Sequence, residues 1–318
     1  MTEPLRPLST GQLLDRTFSL YRRNFVLFVT IAAIAPALYL AMQAVLVGTA
    51  AATPARGWPG PRQSPSVATT IVPVVVLFVG LLVWMLGLAL THAATIQAVS
   101  AVHLGRKTSF REAYGSLKGR YGRIIGVFLS VAIRVFGGAI LLMSAAIGLG
   151  AGSVAGGRAF GLAGGIAGVI IAVAAAIAAA MLAVTLFVRY ALAVQACVVE
   201  NIKGREALKR SAVLTKGSRS RVLTVYTLFV VLTWVMGAVT GLIALALSAI
   251  IPSGIFAAIA IQLASFVAGA LTGPLVTIGM SVLYFDERVR KEAFDLQLMM
   301  ASLDGGGTAA AAASAGPA

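Results

Sequence analysis

Cysteine occurs once, at Cys197, histidine twice, at His92 and His103, and acidic residues only ten times in 318 positions. A single thiol cannot close an intrachain disulfide, and metal sites built on paired-Cys spacing are excluded. Two histidines give a Ser-His-Asp triad or a His-based metal site little to draw on. No HExxH, GxSxG or Walker A pattern occurs. None of the ten acids falls inside a long apolar run, which removes the usual carriers of intramembrane proton relays and aspartyl chemistry. The sequence therefore predicts no enzyme, no cofactor and no metal.

Charge as a whole is scarce. Charged residues make up 11% and hydrophobic residues 59%, against roughly 25% charged in a soluble domain. Such a chain needs lipid as its solvent. The formal charge of +15 could suggest nucleic acid, but a nucleic-acid binder clusters basic residues on a soluble surface with stacking aromatics. Here they sit at the ends of apolar runs, so no nucleic-acid partner is expected.

Six runs reach the ~20 residues a helix needs to cross hydrocarbon: about 25–48, 70–91, 124–150, 162–188, 222–250 and 256–283. The first is longer than a signal-peptide h-region and follows about 24 mostly polar or amphipathic residues, so it reads as a span. A Pro- and Gly-rich loop separates the first two, a Gly-rich turn carrying Arg158 the next two, and IPSG the last two. Residues 1–300 form one integral membrane domain, and 301–318 a Gly/Ala-rich tail predicted to be disordered. With the N-terminus inside, residues 1–24, 104–123, 199–221 and 285–318 hold four, six, seven and three Lys/Arg, twenty in all, against Arg56, Arg62 and Arg158 outside. The positive-inside rule then predicts a multi-pass inner-membrane protein with both termini cytoplasmic.

A repeat of about 97 residues relates Leu20, Leu117 and Leu214, with Gln97 and Gln195 spaced by 98. The fold class expected is all-α: a polytopic helical membrane protein with six transmembrane helices in three helix-hairpin repeats, each preceded by a short amphipathic cytoplasmic helix. Leu14, Phe18, Tyr21 and Phe25 in one such helix, and Phe110, Tyr114, Leu117 and Tyr121 in the next, step by 4, 3 and 4, one stripe of a helix. Ser9 with Gln12, and Ser109 with Glu112, have capping-box spacing. The third copy, within Glu200–Arg221, is the most polar. The inward-going runs exceed a simple span: Ile71 to Leu104 would be about 51 Å long against ~30 Å of hydrocarbon. They must tilt, break or continue into the cytoplasm, and His92, Tyr190 and Pro274 align at similar depth as a shared kink or exit point.

Functional signal is concentrated in the basic helices. Arg22, Arg23, Arg120, Arg123, Lys209, Arg210, Arg219 and Arg221 are candidate contacts to anionic lipid headgroups, each adding on the order of 1 kcal/mol near a membrane surface, and 200–221 is a candidate protein-partner segment. Arg134, His92 and Arg189 form a candidate intramembrane polar site. Arg134, about 15 Å into the third span, must snorkel, find a backbone carbonyl, or face a polar cavity holding an anionic ligand or lipid phosphate.

Three stretches, LSTGQLLDRTFSLYRRNF at 8–25, ALKRSAVLTKG at 207–217 and LYFDERVRKEAFDLQLM at 283–299, resemble the membrane domain of glycerophosphoryl diester phosphodiesterases over about residues 8–300. In that family such a domain can be joined to a soluble catalytic domain, for which this chain has no room. The resemblance implies a membrane module without that activity. The function expected is a lipid-associated, non-catalytic scaffold; the alternatives are a transporter or lipid-moving protein with a polar pathway near Arg134, and an enzyme of glycerophospholipid metabolism.

Overall fold

The computed structural model of the chain describes residues 8–52, 67–250 and 254–314, and every regular element in them is helical. Six helical segments are long and apolar enough to cross a membrane: Phe25–Thr49, Ile71–His103, Tyr121–Ala145, Ile166–Val199, Arg219–Leu247 and Ala258–Glu292. The protein is thus an all-α, multi-pass membrane protein. The loop between the first two runs, the IPSG turn and the side chains around Arg158 lie outside the described residues.

Local chemistry sets the helix starts. Helix α1 (Thr10–Arg23) and helix α5 (Phe110–Gly115) both open on a complete capping box, Ser9 with Gln12 and Ser109 with Glu112, each side chain satisfying a backbone N–H of the other. Helix α9 (Gly204–Thr215) lacks the serine but keeps the acid: the Lys203 N–H donates to Glu206 at 3.2 Å. Between α5 and α6 (Tyr121–Ala132), Gly119 takes φ +80°, a left-handed conformation suited to glycine. That break corrects the expectation of one stripe from Phe110 to Tyr121, because Tyr121 already belongs to the next helix.

The longer helices are α4 (Val67–His103), α7 (Gly138–Tyr190), α10 (Arg219–Ile250) and α11 (Gly254–Ser314). A five-residue π-helix, Ile133–Gly137, joins α6 to α7. A straight helix would separate Gly138 from Leu182 by about 66 Å. Instead a Cβ on Gly138 would stand 3.6 Å from Leu182 Cδ2, so the chain doubles back between them. α11 is assigned to Ser314. Of the aligned kink positions only Tyr190 ends a helix, before α8 (Ala193–Val199), while α4 runs through His92 and α11 through Pro274.

The packed core gathers at one end of the bundle. Leu13, Phe28, Ile96, Leu192, Leu214 and Tyr284 are all fully buried there. Toward the other end apolar side chains face outward, with Leu141 72% and Trp234 77% exposed, as expected of surfaces that face lipid. α11 is the axis: its most apolar window is 61% buried, against 6% for the spans beginning at Ile71 and Ile166.

Around that axis the first helices are arranged differently from the sequence expectation. Leu8 meets Asp286 and Arg290, and the Tyr21 hydroxyl donates to the Leu271 carbonyl at 2.8 Å. α1 therefore runs beside α11 along some 20 Å, and Phe18 packs on Phe229 of α10. The face it buries is Leu13 and Thr17, one residue off the predicted stripe, because the Thr17 hydroxyl donates to the Leu13 carbonyl at 2.8 Å and is satisfied within the helix. Helix α3 (Ile34–Ala52) pairs with α4, where added Cβ atoms at Gly80 and Gly87 would strike Met42 and Leu38. Its Pro36 lies within 3.1 Å of a Cβ built on Gly269. Tyr21 and Pro36 thus meet α11 within one turn of each other, so α2 (Phe25–Ala32) crosses from the α10 side of α11 to the α4 side, with Val26 72% exposed and Phe28 and Ile31 buried. From Ile34 to Ala52, α3 is about 28 Å long, close to the ~30 Å of a hydrocarbon core.

Candidate functional site

Charge at the packed end is the feature with chemical content. Residues Tyr284–Glu292 of α11 pair with the basic segment 200–221, which runs into the start of α10. Arg221 bridges Asp286 at 2.5 Å and Glu287 at 2.8 Å, both carboxylates being 2% exposed. Asp286 also accepts from Arg290 at 2.8 Å and from the Leu8 N–H at 2.6 Å, while Arg221 and Arg290 both donate to the Leu8 carbonyl. Arg210 binds Glu200 at 2.9 Å and also Glu292, which pairs with Arg288. Burial opposes the charged form of Arg210, but the two carboxylates outweigh it and raise its pKa. The Tyr284 hydroxyl donates to Glu200, and Lys291 donates to the carbonyls of Val213, Leu214 and Lys216 at the end of α9, satisfying groups a helix C-terminus leaves free.

The eight arginines and lysines singled out as headgroup contacts divide into two sets. Arg210 and Arg221 are engaged in these ion pairs. Arg123 donates to the Asn201 carbonyl and side chain, both at 2.8 Å, and Arg120 to the same side chain at 3.3 Å, holding Asn201 at φ +54°. Arg22, Arg23, Lys209 and Arg219 are exposed and have no ion pair among the described residues. Of the seven acids with described side chains, Glu200, Asp286, Glu287 and Glu292 are ion-paired, Glu112 and Glu206 cap helices, and Asp15 of α1 is exposed. The packed end consequently presents a largely cationic surface.

The three members of the candidate intramembrane site do not form one site. His92 is half-buried in the core, its Nδ1 2.9 Å from the Thr277 hydroxyl and its ring against Phe128. Arg134 is exposed on the π-helix and donates back to the Ser130 carbonyl at 2.9 Å and to the Ser130 hydroxyl. Arg189 is exposed, stacked over Tyr190 at 5.7 Å. Arg134 thus folds along its own helix toward the packed end, the snorkelling geometry. An open groove of about 400 Å³ between α3 and α4 is lined by apolar side chains such as Leu38, Met42 and Val79.

One pattern escapes hydropathy altogether. Each of α1, α5 and α9 sends a hydroxyl to the backbone of a longer helix near a proline or a helix break. Tyr21 donates to Leu271 O, one turn from Pro274, and Tyr114 donates to Ile31 O at 3.0 Å, just before the α2–α3 break. Ser211 donates to Arg189 O and accepts from Leu192 N, spanning the α7–α8 break. Burial pushes the Tyr21 hydroxyl pKa up; it does the same at Tyr114, with the Thr91 hydrogen bond opposing it, so both remain donors. Unpaired backbone groups at such depth are costly. Gln195 is the exception: it is buried, and its Oε1 has no partner among the described residues. Among the described residues no three His, Cys, Asp or Glu side chains gather as metal ligands do.

A family model described as Domain of unknown function (DUF7847) matches residues 8–287. No curated protein and no solved structure matches the chain.

Proposed function

From the premise that the chain belongs to the DUF7847 family, we propose that it is a non-catalytic membrane scaffold whose packed, cationic end contacts anionic lipid headgroups. The observation that carries this reading is the internal use of the acids. With Glu200, Asp286, Glu287 and Glu292 committed to ion pairs and Glu112 and Glu206 to helix caps, Arg22, Arg23, Lys209 and Arg219 are left exposed with no ion pair among the described residues. Anionic headgroups supply that counter-charge on a cytoplasmic leaflet. In this reading the packed end and both termini face the cytoplasm of a cell with an inner membrane, in line with the twenty-to-three split of basic residues. The resemblance to the membrane domain of glycerophosphoryl diester phosphodiesterases is in keeping with a module that associates with lipid.

The reading includes a three-fold internal repeat. α1 packs on α11, α5 on α4, and α9 on α8, so each short helix docks on the inward-going span of the preceding unit and α1 closes the ring on the last. The Tyr21 hydroxyl bond lies at the first of these contacts, while Tyr114 and Ser211 of the other two short helices bond to neighbouring backbone, Ile31 of α2 and Arg189 of α7. A transport pathway draws no support from Arg134, which bonds to its own helix.

The test is reconstitution in bilayers of mixed phosphatidylglycerol and phosphatidylcholine, followed by excision of the protein with its nearest lipids and analysis of their composition. Enrichment of phosphatidylglycerol over the bulk is expected; a composition equal to the bulk would overturn the proposal.

A further inference from the structure

The hairpin formed by α6, the π-helix and α7 carries two charged groups whose position is fixed by packing. Gly138 and Leu182 lie opposite each other. Stepping eight residues from each toward the packed end, about 12 Å, brings Ser130 level with Tyr190. Arg134 directs its guanidinium to the carbonyl and hydroxyl of Ser130, while Arg189 adjoins Tyr190 and stacks over its ring. Two side chains 55 positions apart in sequence therefore deliver their charge to the same level of one hairpin.

That level is the boundary of the packed core. Val127 on α6 and Val188 on α7 are buried members of the core, whereas Ile133 and Phe136 are 61% and 63% exposed, and Val184 46%. Neither arginine has a carboxylate partner among the described residues. Arg134 keeps only hydrogen bonds within its own helix, which leave donors of its five N–H groups unused. The π-helix, a rare one-turn insertion often found at functional sites, is the segment that carries Arg134.

We propose that Arg134 and Arg189 together bind the phosphate of one membrane phospholipid, its acyl chains lying along the exposed apolar side chains of the same hairpin. A guanidinium matches a phosphate in geometry and charge. At the edge of hydrocarbon the headgroup phosphate is the abundant anion. The proposal rests on the reading of the protein as lipid-associated but assigns a discrete site, distinct from the diffuse contact of Arg22, Arg23, Lys209 and Arg219.

The experiment is native mass spectrometry of the full-length protein in detergent, titrated separately with phosphatidylglycerol, diacylglycerol and inorganic phosphate. The wild type is expected to retain one phosphatidylglycerol, no diacylglycerol and no inorganic phosphate. Arg134→Gln and Arg189→Gln should each weaken that adduct about fivefold, and the double variant about 25-fold, on the scale of single cations near a membrane surface. Arg134→Lys with Arg189→Lys, which keeps the charge, should restore most of the adduct and shows that loss is not unfolding. Reversal of Arg22 and Arg23 should leave it intact, separating this site from the broader lipid contact. An adduct unchanged in the double variant, an equal diacylglycerol adduct, or retention of inorganic phosphate in place of lipid would each overturn the proposal.

Discussion

Arg221 stands between two carboxylates that water barely reaches, and it is the described cation paired with Glu287. Asp286 keeps Arg290 and the Leu8 N–H if Arg221 is lost, but Glu287 is left charged and buried. Removing one partner of a buried pair costs about 3–5 kcal/mol. Arg221→Met is therefore expected to lower thermal stability by that order, measured as detergent-solubilised unfolding by circular dichroism or tryptophan fluorescence. Arg290→Met should cost less, because Arg290 is the more exposed partner and Asp286 retains Arg221. The two Arg221 pairs cannot be read from local sequence, since the partners lie 65 and 66 positions apart, whereas Arg290 and Asp286 are an i,i+4 pair. What the sequence does mark is depth: Arg134 and Arg189 stand out because they interrupt apolar runs, while His92, marked for the same reason, turns inward to Thr277.

At the scale of elements, α1 and the contact of α10 with α11 are the sharpest test of the packing. A Cβ at Gly279 would lie 2.0 Å from Phe229 Cε2, and Phe229 is buried and cannot swing away. Gly279→Ala should destabilise the protein by about 1–3 kcal/mol through overpacking, whereas Gly11→Ala, whose Cβ meets nothing within 4 Å, should not. The placement of α1 against α10 and α11 predicts that cysteines at Phe18 and Phe229, in a Cys197→Ala background, are joined by a short bifunctional thiol reagent; no cross-link would contradict that placement. The starts of α1 and α5 were legible because a capping box is a signal carried within four residues. The orientation of α1 was not, because Tyr21 and Leu8 fix it through residues more than 200 positions away. Its buried face was missed because Thr17, polar by type, is satisfied by its own helix.

The whole molecule divides its work between its two ends. Six spans could be read from hydropathy because lipid imposes length and apolarity on each helix independently. The packed end was invisible to that reading: the same helices continue there into a core closed by ion pairs between residues 200–221 and 284–292. Those pairs consume acid and leave base, and this asymmetry is the central claim. It is tested most directly by reversing Arg22, Arg23, Lys209 and Arg219 to Glu together, and measuring phosphatidylglycerol enrichment around wild-type and variant protein in mixed bilayers at low and high salt. The account predicts enrichment around the wild type that falls as salt rises and is lost in the variant, with helicity unchanged. Equal enrichment around both proteins, insensitive to salt, would contradict it.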